Sequence, residues 1–231
     1  VLNSESNISS HFSLEPLLDN SSVPGDFVYY PVGPKSSICY FPNENLNPNE
    51  IYISRLSSGI SDIFNNVIEI NQSFSFETGN TDWIHYEIDN LEIDLANHWW
   101  DPQSSGSTLG IISDSTWIET SSEVINLLYD SNYSMEVNYG WNLASSEWLI
   151  RIYLSGGSPR EVIFNHSKIM QAYVFGDGSG NSFRFCVDDN LPNSSSSNHE
   201  VSPWFAIDWV GWKLVSWDMS TDGTGSWIGD G

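Results

Sequence analysis

The stretch "LANHWWDPQSSGST", Leu95 to Thr108, sets two tryptophans side by side ahead of a loop of Gln, Ser, Gly and Thr. Successive side chains of a strand point to opposite faces, so Trp99 and Trp100 cannot both enter one core. One is expected to pack inside. The other is expected either to stand as a flat platform beside the polar loop Gln103–Thr108 or to pack beneath the N-terminal segment. A platform suits sugars: a pyranose ring offers a C–H face to an aromatic plane, and polar side chains read its hydroxyls. Trp148 follows the polar loop "NLASSE", and Trp204 follows "LPNSSSSNHEVSP" at a loop-to-strand junction, so both are further candidates. Trp209 and Trp212, in "DWVGW", are expected in the core, at least one of them nearly fully buried. Trp217 fits either role.

Little in the chain points to catalysis. His11, His85, His98, His166 and His199 are scattered, with no HxH or HExxH. There is no GxSxG elbow, and "GDGSGN" lies between two strand-like runs and lacks a P-loop lysine, so it reads as a turn. Asp188 and Asp189 are adjacent, and a strand would send them to opposite faces rather than pair them as glycosidase carboxylates. The chain is expected not to be an enzyme. Seven basic residues against 30 acidic ones give a net charge of −23. Phosphate contacts need Lys and Arg, so nucleic acid is an unsuitable partner, and an anionic membrane surface would repel the chain. No apolar window approaches the length of a membrane span. A neutral ligand suits this surface, and clustered carboxylates suit Ca²⁺. Cys39 and Cys186 form no CxxC and are either one disulfide or two free thiols.

Short strands must position these groups. Aromatic residues make up 14% of the chain, and Asn, Ser and Gly punctuate it. Residues 1–26 are polar and read as a loosely ordered leader. Residues 27–89 read as a β-rich segment with runs such as "DFVYYPV", "EIYISRL" and "QSFSFET". Within it, "SGISDIFNNV" also fits a helical turn or two, with Ile60, Ile63, Phe64 and Val67 on one face. Residues 90–231 show clearer alternation. In "YSMEVNYGW", Tyr133, Met135, Val137, Tyr139 and Trp141 share a face. In "EWLIRIYL", Trp148, Ile150, Ile152 and Leu154 do. "KIMQAYVFG" suits a central strand, "NSFRFCVDD" alternates, and "SPWFAIDWVGWKLVSWDM" gives two strands around a Val210-Gly211 turn. The fold class expected is all-β, an antiparallel sandwich.

The blocks "STLGIISDST", "LYDSNYSMEVNYGW", "YVFGDGSGNSFRFCVDDN" and "IDWVGWKLVSWDM" follow one another in an order similar to that of jelly-roll carbohydrate-binding modules. The last two blocks resemble accessory modules of secreted bacterial glycosidases, with a "GDGSGN" hairpin and a "DW-x-GW" strand pair. The resemblance covers about residues 90–228. It implies a non-catalytic glycan-binding module and a structural Ca²⁺ site. Asp188, Asp189 and Asn190, or Asp222 and Asp230, are the available ligands. It also implies a last strand after "GSWIGDG", which is expected to be empty or filled by another segment. Secretion fits the composition, and a removed signal peptide would explain a start at Val1; the six Asn-x-Ser sequons, at Asn7, Asn20, Asn71, Asn132, Asn165 and Asn193, are mostly what chance gives in so Asn- and Ser-rich a chain. The alternative is a structural subunit of an extracellular filament, sheath or surface layer, assembled by strand exchange as a homo-oligomer.

Overall fold

The computed structural model describes residues 8–19, 21–32, 35–62, 64–79, 84–92, 95–127, 131–154, 164–188 and 199–225. The protein is all-β, 43% strand against 6% helix, with antiparallel sheets and no barrel. In chain order the strands are β1 Phe12–Pro16, β2 Gly25–Val32, β3 Lys35–Pro42, β4 Ile51–Leu56, β5 Gln72–Glu77, β6 Trp99–Trp100, β7 Trp117–Ser121 and β8 Ser134–Asn138. They continue with β9 Tyr153–Leu154, β10 Ile169–Asp177, β11 Ser182–Phe183, β12 Cys186–Asp188, β13 His199–Val201, β14 Phe205–Ala206 and β15 Val210–Asp218. No helix among the described residues is long and apolar enough to cross a membrane.

Contacts divide the chain into two compact units, one joining residues 1–83 to 165–231, the other formed by 84–164. This division cuts the chain at other points than the compositional segments 27–89 and 90–231. In the first unit β1, β4 and β5 form a three-stranded sheet in that order. Alternation gives it a core face: Leu14, Tyr52 and Ser54 are all buried, and Phe76 stacks on Tyr52 at 5.8 Å. The polar opening segment thus does not stay loose over Phe12–Pro16, because Leu14 supplies apolar surface to this face.

The longest ladder pairs β10 with β15 from Ile169↔Asp218 to Asp177↔Val210. The β2–β3 ladder packs against it through aromatic rings. Tyr30 meets Phe175 at 5.1 Å, and Phe175 meets its cross-strand partner Trp212 at 5.5 Å. Burial raises the Tyr30 phenol above its ordinary range, against the opposing effect of a hydrogen bond with Trp212. Gly211 has φ +107°, and an added Cβ there would run into Ser37 and approach Cys39 Sγ at 3.7 Å. That close approach is what glycine permits.

Several expectations are corrected here. Val210 and Gly211 lie inside β15 and are not a turn between strands. Neither Trp209 nor Trp212 is nearly fully buried; among the described residues the buried tryptophan is Trp217, 1% exposed, with its indole N–H donating to Gly223 O at 3.0 Å. Trp212 has the opposite strand parity to Val215 and Trp217, so it faces the other way. Trp209 covers Gly176, where a Cβ would meet its indole at 2.6 Å, and Lys213 lies 4.5 Å over its ring. "GDGSGN" is no hairpin, since β10 pairs with β15 and β11 with β14. No helix spans residues 60–67 among those described: Ser61 bridges Val67, and the Asp62 carboxylate accepts the N–H groups of Phe64 and Asn66 at 2.8 Å. Such a carboxylate competes with helix for backbone donors. Ile63 lies outside the described residues. Of the two alternatives left open for Cys39 and Cys186, the structure has the one without a disulfide, and Cys186 is exposed. After Asp218 the chain turns through residues 219–225 without another described strand.

Candidate functional site

The second unit holds the clearest candidate. A single helical turn, Leu95–His98, leads into β6, which pairs with β9 as Trp99↔Leu154 and Trp100↔Tyr153. Asp101 and Pro102 then end the strand. The Asp101 carboxylate accepts the Gln103 N–H at 2.9 Å as an N-cap, and Pro102 opens a 3₁₀ turn where it has no N–H to lose. Gln103 Nε2 donates to Ser113 O and Thr116 O at 3.0 and 2.8 Å, fastening the loop next to β7. Thr108 Oγ1 accepts the Arg151 N–H at 3.1 Å. Gln103 and Thr108 therefore hold the loop in place.

This frame aims the two tryptophans differently. Trp99 is half-buried, and its indole N–H donates to Asp89 Oδ2 at 2.7 Å. Trp100 is 43% exposed and stacks on Tyr153, with centroids 4.8 Å apart and planes 29° from parallel. The Arg151 guanidinium carbon lies 4.6 Å from the centre of the same Tyr153 ring. The result is a layered aromatic–cation stack with an open tryptophan. Neither tryptophan is fully core, which corrects the expectation that one would be. A two-residue strand offers too little face to bury either ring.

Beside the stack lies an open cleft of about 560 Å³. Leu95, Trp99, Trp100 and Ile118 give it apolar walls, and Asp101, Ser104, Glu119 and Thr120 give it polar ones. Glu119 Oε1 accepts both the Trp117 indole N–H and Asn138 Nδ2, each at 3.0 Å. These donors offset the repulsion of Glu136, which stands directly opposite Glu119 on β8. The cleft thus joins flat apolar surface to oxygen acceptors.

The other candidates are not gathered here. Trp148 belongs to the same unit but does not line the cleft; it is 50% exposed, and its indole N–H donates to Asn142 O at 2.8 Å. Trp204 belongs to the first unit, between β13 and β14, 53% exposed, with the Arg184 guanidinium 4.3 Å over its ring. Desolvation there lowers the pKa of Arg184. For calcium, Asp188 stands opposite His199 in the β12–β13 register, while Asp189, Asn190 and Asp230 lie outside the described residues. Asp222 Oδ2 accepts the Asp218 N–H at 2.8 Å and so shapes a turn. Among the described residues no group of three or more His, Cys, Asp or Glu could hold a metal ion.

Tyr153, Arg151, Asp89 and Glu119 were not singled out by sequence. For the first two a signal existed, since "EWLIRIYL" with its apolar residues on one face leaves Arg151 and Tyr153 together on the other. Asp89 and Glu119 carry no local mark. What the fold defines is a class, an all-β protein of small antiparallel sheets. No protein family, curated protein or solved structure matches the chain.

Proposed function

We propose that this is a secreted, non-catalytic glycan-binding protein of jelly-roll-module type, with Trp100 as its stacking platform. One observation carries the reading: a 43%-exposed tryptophan, held against Tyr153, at the mouth of an acceptor-lined cleft. A ring already immobilised by Tyr153 loses little further freedom when a sugar stacks on it. Ser104, Glu119 and Thr120 are the groups suited to read hydroxyls. The charge of −23 favours a neutral glycan over an anionic one. Exposed Trp148 and Trp204 are secondary platforms, and a structural Ca²⁺ belongs to the same reading.

Affinity electrophoresis in gels cast with neutral polysaccharides tests it. The wild-type protein is expected to be retarded by at least one glycan, and Trp100→Ala to lose most of that retardation at an unchanged Tm. Mobility unaffected across a broad panel, or Trp100→Ala retarded as fully as wild type, would overturn the assignment. A second reading, a structural subunit of an extracellular filament, sheath or surface layer, draws on the edge of β5 that no described strand covers. Growth of the full chain beyond a dimer as its concentration rises tests that one.

A further inference from the structure

β5 ends the three-stranded sheet, and all six of its residues are exposed. Hydrogen-bond parity shows which way its backbone points. Leu17 N–H donates to Ile51 O and Ser57 N–H to His11 O, both at 2.7 Å, so Ile51, Ile53 and Arg55 turn their backbone groups to β1. Thr78 N–H donates to Glu50 O at 2.9 Å, so the alternate residues Tyr52, Ser54 and Leu56 turn theirs to Phe76, Phe74 and Gln72. Ser73, Ser75 and Glu77 consequently aim N–H and C=O out of the sheet, where no hydrogen bond among the described residues meets them. Phe74 and Phe76, 64% and 37% exposed, stand on the face shared with Leu14 and Tyr52. The core face of the sheet runs off its own edge.

We infer that β5 pairs antiparallel with β5 of a second copy, with Ser75 on the twofold axis. In this register Ser75 faces the partner's Ser75, and Ser73 faces the partner's Glu77. Each of these pairs brings together outward-pointing backbones that exchange both N–H···O bonds. Phe74 falls opposite the partner's Phe76 at the closer, non-hydrogen-bonded sites, where cross-strand aromatic pairs stabilise most. A slip of one residue would oppose Phe to Ser and set an outward backbone against an inward one. The strand is self-complementary in hydrogen bonds and in side chains together.

The self-matching register selects a second copy as the occupant, and low local charge lets it approach. Residues 64–77 carry Glu69 and Glu77 as their only charges, in a chain of net charge −23. The register sets Glu77 against Ser73, so no acid opposes an acid across the ladder. Two Phe rings and one short ladder bury well under the ~800 Å² per partner of a standard interface, so the pair is weak and concentration-dependent. Being isologous it closes at two copies and does not grow into a filament by itself. It does not rest on the glycan reading, and its failure leaves that reading untouched.

Sedimentation equilibrium of the full chain over roughly 10–500 μM tests it. A monomer–dimer equilibrium is expected, tightening with added salt as the like charges are screened. Ser75→Pro removes an N–H that β4 does not use, at an edge position that tolerates proline. It is expected to weaken dimerisation roughly tenfold or more while leaving the far-UV circular dichroism unchanged. Ser75→Cys, in a Cys39→Ser/Cys186→Ser background, gives a readout that does not depend on tolerance of proline. The two thiols would sit on Cα atoms about 5.5 Å apart and should oxidise to a covalent dimer. A wild-type chain that stays monomeric at the highest concentration in high salt overturns the pairing and leaves the edge to a strand of another protein. So does a Ser75→Cys chain that forms no crosslink.

Discussion

Trp100 and Trp217 have the same side chain and opposite tasks. Trp217 is 1% exposed and tied through its indole to Gly223 O, while Trp100 keeps 43% of its surface open. Trp217→Ala is therefore expected to cost about 3–5 kcal/mol, a fall in Tm of roughly 10 °C for a chain of this size. Thermal melts of Trp217→Ala and Trp100→Ala side by side check the contrast, which fails if the two shift Tm equally. Sequence could show that adjacent tryptophans diverge, and it did point to exposed rings at Trp148 and Trp204. It could not rank the "DWVGW" tryptophans against Trp217. That ranking depends on the parity of β15 relative to the packed ladder, and on Gly176 leaving room for Trp209.

At the scale of the element, loops here are held by carboxylates. Glu92 accepts Asn132 N–H, Asn132 Nδ2 and Tyr133 N–H at 2.8, 3.0 and 3.1 Å, pinning the entry to β8 across forty residues of sequence. The Asn132 side chain leads in holding the Glu92 carboxyl below its ordinary pKa, with the backbone donors adding to it. A carboxyl with a lowered folded pKa stabilises fully above its ordinary range and loses that effect as pH falls through the folded value. Protection factors at Asn132 and Tyr133, which discount the slower intrinsic exchange in acid, should therefore fall on acidification below the ordinary glutamate range. Glu92→Gln should already exchange fast at neutral pH; equal protection in both proteins would refute the pin. Alternation located β8 and a near-continuous apolar run located β10, whereas the Val210-Gly211 pair, read as a turn, lies inside the single strand β15. The hinge of "SGISDIFNNV" misled, because its apolar spacing fits a helix while Asp62 takes the backbone donors a helix would need.

For the whole molecule the dominant quantity is a net charge of −23. Like charges held at folded density repel, and salt relieves this within a Debye length of about 8 Å at physiological strength. The Tm of the Ser75→Pro chain is expected to rise by roughly 3 °C or more between low salt and about 0.5 M NaCl. A flat or falling Tm would mean that the acids are locally compensated. Composition disclosed the class and the charge, but not which segments share a unit. The joining of residues 1–83 to 165–231 rests on contacts between segments far apart in sequence, such as Tyr30 with Phe175 and Ser37 with Gly211. Those contacts leave a paired readout in the chain. Cys39 is half-buried and lies near Gly211 of β15, whereas Cys186 is exposed. An alkylating reagent should label Cys186 faster than Cys39, and conditions that part β3 from β15 should narrow the gap. The ratio of the two labelling rates then reports on the aromatic seam, without a probe having to be introduced.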